Sequence, residues 1–196
     1  MKQIGLFFLA LFATTVMAAE IGSPAPGFTL KDAEGTSHSL SDFKDKVVVL
    51  EWINYDCPFV RKHYDSQNMQ NLQAKWKEQG VIWLAINSSN KGKQGHFEGD
   101  KLKKRIAKEK GNQTAYLLDT DGKVGKAYGA RTTPHMFIIG KDGTLLYKGG
   151  IDDNPSRHAK DIPNSKNYVD VALASILAGE DVKENDTRPY GCSVKY

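Results

Sequence analysis

The chain has 196 residues, with 27 Lys and Arg against 23 Asp and Glu and a formal net charge of only +4. This length suits one domain with one sizeable core, and so small a net charge argues against a nucleic-acid-binding protein. Two cysteines are present, Cys57 and Cys192. An even number allows a disulfide in an exported protein.

The first 19 residues have the pattern of a secretory signal peptide. Lys2 supplies a positive charge, residues 4–16 are mostly apolar, and Val16-Met17-Ala18 places small residues at offsets suited to cleavage. The apolar stretch is shorter than the roughly 20 residues of a membrane span. We therefore expect a periplasmic or secreted protein without stable membrane insertion after cleavage. An uncleaved N-terminal anchor is the alternative.

Residues 20–182 are predicted to form one domain of alternating strands and helices, followed by a tail over residues 183–196. Apolar and β-branched runs between turn residues indicate strands, and apolar positions three or four residues apart indicate helices. The predicted strands are 28–31, 36–40, 47–53, 81–86, 115–119, 135–139 and 144–148. The predicted helices are 57–79, 100–110, 124–128 and 168–177. This order predicts an α/β fold: a mixed central sheet, helices on both faces and an N-terminal β-hairpin.

Cys57 lies at the point where a buried strand gives way to a helix. Pro58 suits the first turn of that helix. Unpaired backbone amides and the helix dipole favour negative charge at such a position, and the thiolate is the reactive form of cysteine. Arg61 and Lys62 add positive charge one turn on. We therefore predict that Cys57 is a nucleophile; a buried, inert cysteine is the alternative.

Several motifs resemble the redoxin branch of the thioredoxin-like superfamily, which includes thiol-disulfide oxidoreductases and the alkyl hydroperoxide reductase and thiol-specific antioxidant proteins. The motifs are Pro24-Ala25-Pro26-Gly27-Phe28-Thr29-Leu30, the strand and loop from Val47 to Cys57, Thr132-Thr133-Pro134, Asp142-Gly143-Thr144-Leu145 and Gly149-Gly150. The single motif cysteine and the closing residues 189–196 resemble a peroxiredoxin-like subgroup. The resemblance implies a thioredoxin-like fold and thiol chemistry without a metal or cofactor.

The resemblance also assigns roles to individual residues. Cys57 matches the family's nucleophile, and Thr133-Pro134 matches its cis-proline site, which lies beside the nucleophile and pairs with substrate backbone. Glu51 matches a buried carboxylate that moves protons, a task that a pKa raised by burial would suit. An exposed position at the strand end is the alternative for Glu51. Trp52 and Tyr55 are expected to line the substrate groove.

Two departures from the family pattern bear on the reaction. Val60 stands where Cys-x-x-Cys proteins have their second cysteine, so the usual cycle cannot run within the motif. The peroxiredoxin signature Pro-x-x-x-Thr-x-x-Cys is also absent, because Leu50 and Asn54 take the proline and threonine positions. Asn54 keeps a hydrogen-bond donor for a bound peroxide. We therefore expect weak peroxidase activity at most.

Cys192, in the tail, is the other candidate for the redox site. If the tail folds back, Cys192 can resolve a mixed disulfide or a sulfenic acid on Cys57, which requires the two Cα atoms to come within roughly 7 Å. A structural disulfide and a disulfide between chains are the alternatives. The working prediction is an exported thiol-disulfide oxidoreductase. Its partners would be protein thiols and disulfides or a small peroxide, with an unidentified electron donor.

Two other classes of protein remain open at this stage. Cys57, His63, His135 and Cys192 offer ligands for copper or zinc, as in a metallochaperone. Thioredoxin-fold copper chaperones, however, resemble Cys-x-x-x-Cys with a distant histidine, and this chain has Arg61 in place of their second cysteine. A binding domain that kept the fold and lost the reaction is the second class.

Overall fold

A computed structural model of the protein describes residues 18–196, so most of the predicted signal peptide lies outside the described residues. The strands are β1 (Thr29–Asp32), β2 (Ser37–Ser39), β3 (Val48–Trp52), β4 (Ile82–Asn87), β5 (Ala115–Leu118), β6 (Thr132–Thr133), β7 (His135–Ile139), β8 (Leu145–Gly149) and β9 (Cys192–Ser193). The α-helices are α1 (Pro58–Asp65), α2 (Asn68–Glu78), α3 (Gly99–Glu109), α4 (Lys123–Tyr128) and α5 (Tyr168–Ala178). Within the described part of the chain, no helix is both long and apolar enough to cross a membrane.

Seven strands form one mixed sheet in the order β2-β1-β5-β4-β3-β7-β8. The neighbours β3, β4 and β5 are parallel, because helices carry the chain back between them. The outer strands join antiparallel, with β1 and β2 on one side and β7 and β8 on the other. The predicted mixed sheet with an N-terminal hairpin is confirmed.

The central strand β3 is buried on both faces. Successive side chains of a strand point to opposite faces, so Val49 and Ile53 face α1, α2, α3 and α5. Leu50 and Trp52 face α4 and the segment that contains Ala19 and Phe28. Helices therefore cover both faces, as predicted, with most of them on the Val49 side.

The single helix predicted over residues 57–79 is wrong, because the chain breaks it into α1 and α2. The Ser66 hydroxyl donates to the backbone carbonyl oxygens of Lys62 at 2.7 Å and His63 at 3.2 Å. Gln67 then takes a left-handed conformation, with φ of 60°. Serine hydroxyls compete for backbone groups in this way, and apolar periodicity does not reveal it.

The C-terminal tail packs along the domain. The Thr187 backbone N–H donates to the carbonyl oxygen of Lys148 in β8 at 3.1 Å. Farther on, β9 pairs antiparallel with β6 to form a separate two-stranded sheet. The Tyr196 hydroxyl donates to the carbonyl oxygen of Ala130 at 2.7 Å. The tail is thus held on both sides of Cys192.

Candidate active site

Cys57 is the N-cap residue of α1, directly before Pro58 in the first turn. The loop that follows β3 sets its position, since the Cys57 N–H donates to the carbonyl oxygen of Asn54 at 2.9 Å. The Asn54 side-chain oxygen in turn accepts the N–H of Asp56 at 2.9 Å. The Cys57 side chain is fully buried, at 0% exposure. The reactive position predicted from the sequence is therefore closed to solvent in this conformation.

The proline site lies against the Cys57 sulfur. The Thr133–Pro134 peptide bond is cis, as predicted. The Cys57 thiol donates to the carbonyl oxygen of Thr133 at 3.1 Å. This contact joins the start of α1 to β6, which are 76 positions apart in the chain.

Cys192 lies directly beside Cys57. The two Sγ atoms are 2.7 Å apart, and both thiols are free. Sulfur atoms in a disulfide are about 2.05 Å apart, so only a short approach separates this pair from a bond. Such closeness favours pairing within one chain over a disulfide between chains.

The backbone of the tail creates this closeness. Cys192 lies opposite Thr133 in the β6–β9 pair, and Ser193 lies opposite Thr132. The resemblance assigns this backbone edge to a substrate strand. In this structure the edge binds the protein's own tail instead.

A polar cluster made of the buried Lys62, His63 and Asp152 and the partly buried Tyr190 fixes the tail just before Cys192. The Lys62 ammonium pairs with Asp152 at 3.1 Å, and the Tyr190 hydroxyl donates to the same carboxylate. Asn68 donates to Nδ1 of His63 at 2.9 Å, so His63 Nε2 carries the proton and donates to the Tyr190 hydroxyl at 3.2 Å. Burial and the nearby Lys62 lower the pKa of His63 to about 3, which keeps the ring neutral.

This cluster was missed at the sequence level. Lys62 was expected to add positive charge near Cys57, and instead its charge is paired with Asp152. The two residues are 90 positions apart in the chain, so no local pattern connects them. The local sequence signal for this cluster is the segment Tyr190-Gly191-Cys192, which puts an aromatic residue close to the cysteine.

Glu51 is a buried carboxyl group at 0% exposure, so the exposed alternative is wrong. Its oxygens accept from Trp83 Nε1 at 2.8 Å, from Gln73 Nε2 at 3.1 Å and from the Tyr64 hydroxyl at 3.1 Å. Desolvation by burial raises its pKa to about 7, although these three hydrogen bonds act in the opposite direction. Among the described residues, no hydrogen bond joins Glu51 directly to Cys57.

The prediction that Trp52 and Tyr55 line a groove is wrong for this conformation. Trp52 is fully buried on the opposite face of the sheet, because it alternates with Glu51 along β3. Tyr55 is 3% exposed and packs edge to face on Tyr64. Asn54 is 2% exposed, and its amide donates to the Gln94 carbonyl at 3.2 Å. All three side chains are therefore buried instead of lining a groove.

The four candidate metal ligands do not form one cluster, although Cys57 and Cys192 lie side by side. Across residues 18–196, no three His, Cys, Asp or Glu side chains are grouped so that they could hold a metal ion. His63 belongs to the Tyr190 cluster. His135 accepts the Arg131 N–H at 3.3 Å and packs on Phe137. Within the described residues, the metallochaperone alternative therefore lacks a site with three such ligands.

Comparison with known sequences places residues 21–148 in the AhpC/TSA family. A thiol-disulfide oxidoreductase ResA from Bacillus thuringiensis subsp. konkukian is 32% identical over 127 residues, which are 65% of this chain and 68% of that protein. The family match includes Cys57 and Pro134 and ends before the tail. Cys192 therefore lies outside the matched region.

Several solved structures are similar to this chain in both fold and sequence. An uncharacterized conserved protein from Geobacillus kaustophilus has a TM-score of 0.74 and 30% identity, covering 90% of this chain and 92% of that one. A putative thiol:disulfide interchange protein DsbE from Chlorobium tepidum has a TM-score of 0.54 and 27% identity, covering 67% of this chain and 85% of that one. This chain belongs to the AhpC/TSA redoxin family and has a thioredoxin-like fold.

Proposed function

We propose that Cys57 and Cys192 are the redox pair of a thiol-disulfide oxidoreductase. The family and the relatives named thiol-disulfide oxidoreductase make the chain an oxidoreductase. The observation that carries the proposal is the 2.7 Å between the two sulfur atoms. Closing the pair to a disulfide releases two electrons and two protons to a partner disulfide. In this proposal Cys192 replaces the second cysteine that Val60 removes from the motif.

Within the pair, we assign Cys57 as the nucleophilic thiolate. It stands at the N-terminus of α1, where unpaired amides favour negative charge. Glu51 is the proposed proton carrier, because a carboxyl group with a pKa of about 7 gains and loses a proton near neutral pH. Thr133 and Pro134 are proposed to hold the sulfur that reacts with Cys57, which in this structure is that of Cys192.

We further propose that the protein works outside the cytoplasm. The N-terminal sequence supports export, and a protein disulfide persists best in an oxidising compartment. Peroxide reduction is proposed only as a slow side reaction. Asn54 takes the position of the peroxiredoxin threonine. Its amide already donates to the carbonyl oxygen of Gln94 instead of to a peroxide.

Turnover assays of wild type, Cys57→Ser and Cys192→Ser test the proposal. The assays follow the reduction of a protein disulfide with dithiothreitol as donor, and the consumption of hydrogen peroxide. We expect both variants to lose disulfide reduction, and wild type to consume peroxide slowly. Unchanged turnover in Cys57→Ser, or two free thiols in wild type after mild oxidation, would contradict the proposal.

A further inference from the structure

The two sulfur atoms of the pair differ in their access to solvent. Cys57 is 0% exposed, whereas Cys192 is partly exposed. A thiolate can attack a disulfide only at a sulfur atom that it can reach. In the oxidised pair, a partner would therefore meet Cys192 first.

The cover over Cys57 is firmly attached on both sides of Cys192. Before it, the Tyr190 hydroxyl donates to Asp152 and accepts from His63. After it, the Val194 N–H donates to the Arg131 carbonyl oxygen at 3.0 Å. To reach Cys57, a partner would have to detach β9 from β6 and open these contacts.

Leaving-group chemistry points in the same direction. A sulfur leaves more readily where its thiolate is stabilised. Attack at Cys192 expels Cys57, and that sulfur leaves at the N-terminus of α1, where negative charge is favoured.

We infer that a partner thiol bonds to Cys192, and that Cys57 reacts only with Cys192. This inference rests on the proposed redox pair and reverses the order expected from the sequence, in which Cys57 meets the substrate and Cys192 resolves. It also implies that the tail stays in place during exchange. The edge of β6 then remains filled by β9, so a partner is recognised without adding a strand there.

The reductive half-reaction balances with a dithiol as donor. One donor thiolate forms a bond to Cys192 Sγ, the Cys57–Cys192 bond breaks, and its electron pair leaves on Cys57 Sγ. The second donor thiolate then attacks the donor sulfur of the mixed disulfide and releases Cys192 as a thiolate. Each released thiolate takes up a proton. The donor is oxidised by two electrons to a disulfide, and the pair is reduced by two.

Glutathione serves as the probe, because a monothiol forms the mixed disulfide but has no second thiol of its own to resolve it. Oxidised wild-type protein is mixed with glutathione, quenched in acid at short times and digested with pepsin, and mass spectrometry locates the adduct. We expect at least about ten times more adduct on Cys192 than on Cys57, because the attacking thiolate can reach only the partly exposed sulfur. An adduct mainly on Cys57 overturns the inference.

The intact mass of the oxidised protein, measured before glutathione is added, separates the two proposals. A protein that forms no Cys57–Cys192 disulfide contradicts the proposed function and the inference with it. A protein that forms the disulfide but takes glutathione on Cys57 contradicts the inference alone.

A pair of matched variants tests whether the docked tail is what protects Cys57. Tyr190→Phe removes the hydroxyl that binds Asp152 and keeps the ring, which packs against Phe59. We expect the ratio of Cys57 adduct to Cys192 adduct to rise about tenfold or more, as for the loss of a hydrogen bond to a charged group. Tyr128→Phe, which removes a hydroxyl bonded to Pro26 on the other face, should keep the wild-type distribution. An unchanged distribution in Tyr190→Phe contradicts the inference.

Discussion

Thr133 and Cys192 lie opposite each other in the β6–β9 pair, and the Thr133 carbonyl oxygen also accepts the Cys57 thiol hydrogen at 3.1 Å. One residue thus sets the position of both sulfur atoms, one through strand pairing and the other through a hydrogen bond. The backbone, rather than a chance side-chain rotamer, brings the cysteines together. Substitutions that change the backbone should therefore affect the pair, as substitutions of the cysteines do.

Oxidation of the pair should stabilise the fold. The disulfide would join residues 135 positions apart, and a cross-link over a long loop removes much conformational entropy from the unfolded chain. We expect the oxidised protein to be more stable than the reduced protein by about 2–4 kcal/mol in urea unfolding. Cys192→Ser, treated with the same oxidant and reductant, should show no difference between the two conditions. Identical unfolding midpoints for oxidised and reduced wild type would rule out the bond.

Gly191 should be required for the tail to dock. Its φ is +136°, and a methyl group there would overlap the carbonyl oxygen of Thr133. Gly191→Ala should therefore raise the free energy of the docked tail by about 1–3 kcal/mol, which lowers the docked population roughly five- to hundredfold. The rate of disulfide formation with glutathione disulfide should fall in proportion.

Gly27→Ala is the matched control for this variant. A methyl group at Gly27 would meet no atom within 4 Å, and that residue has no positive φ. We expect it to oxidise at the wild-type rate. If Gly191→Ala also oxidises at the wild-type rate, the tail does not need the observed conformation to bring the sulfurs together.

Much of the fold could be predicted because its signals are local. The strand over residues 47–53 is an apolar run interrupted only by Glu51, and Thr133-Pro134 has a recognisable motif before a strand. The break at Ser66 could not be predicted, because the apolar spacing continues through it while a hydroxyl competes for the backbone.

The parts of the site that escaped prediction depend on distant contacts. Tyr190 and Asp152 are 38 positions apart, and their contact exists only once β8 and the tail are packed. The roles of Trp52 and Tyr55 were misjudged for a related reason. Position along the chain puts both near Cys57, whereas strand alternation and core packing turn both away from solvent.

The Lys62–Asp152 ion pair should be far more important for stability than a surface pair. Both side chains are almost completely buried, so Lys62→Met leaves a buried carboxylate without its counter-charge. We expect a loss of about 3–5 kcal/mol in the free energy of unfolding. Lys75→Met is the control, because Lys75 is half exposed in its pair with Asp170 and should cost less than about 1 kcal/mol. Equal losses in the two variants would show that burial of the first pair is unimportant.

Glu51 should make stability fall as the pH rises towards neutrality. Its pKa is about 7 in the folded protein against 4.5 for the ordinary group, so the folded state binds the proton more tightly than the unfolded state. The resulting stabilisation is complete below about pH 4.5 and is lost as the pH rises through about 7, a change of about 3 kcal/mol. Glu51→Gln carries no titrating group and should lack this slope.

Urea unfolding of wild type and Glu51→Gln between pH 4 and 8 measures the effect. The stability of the variant relative to wild type should increase by about 3 kcal/mol across this range, whatever the fixed cost of the substitution. Glu78→Gln, at an exposed position of α2, should follow the wild-type profile. Parallel profiles for wild type and Glu51→Gln would mean that Glu51 does not exchange its proton in this range. Such a carboxyl group could not carry protons for the cysteine pair near neutral pH.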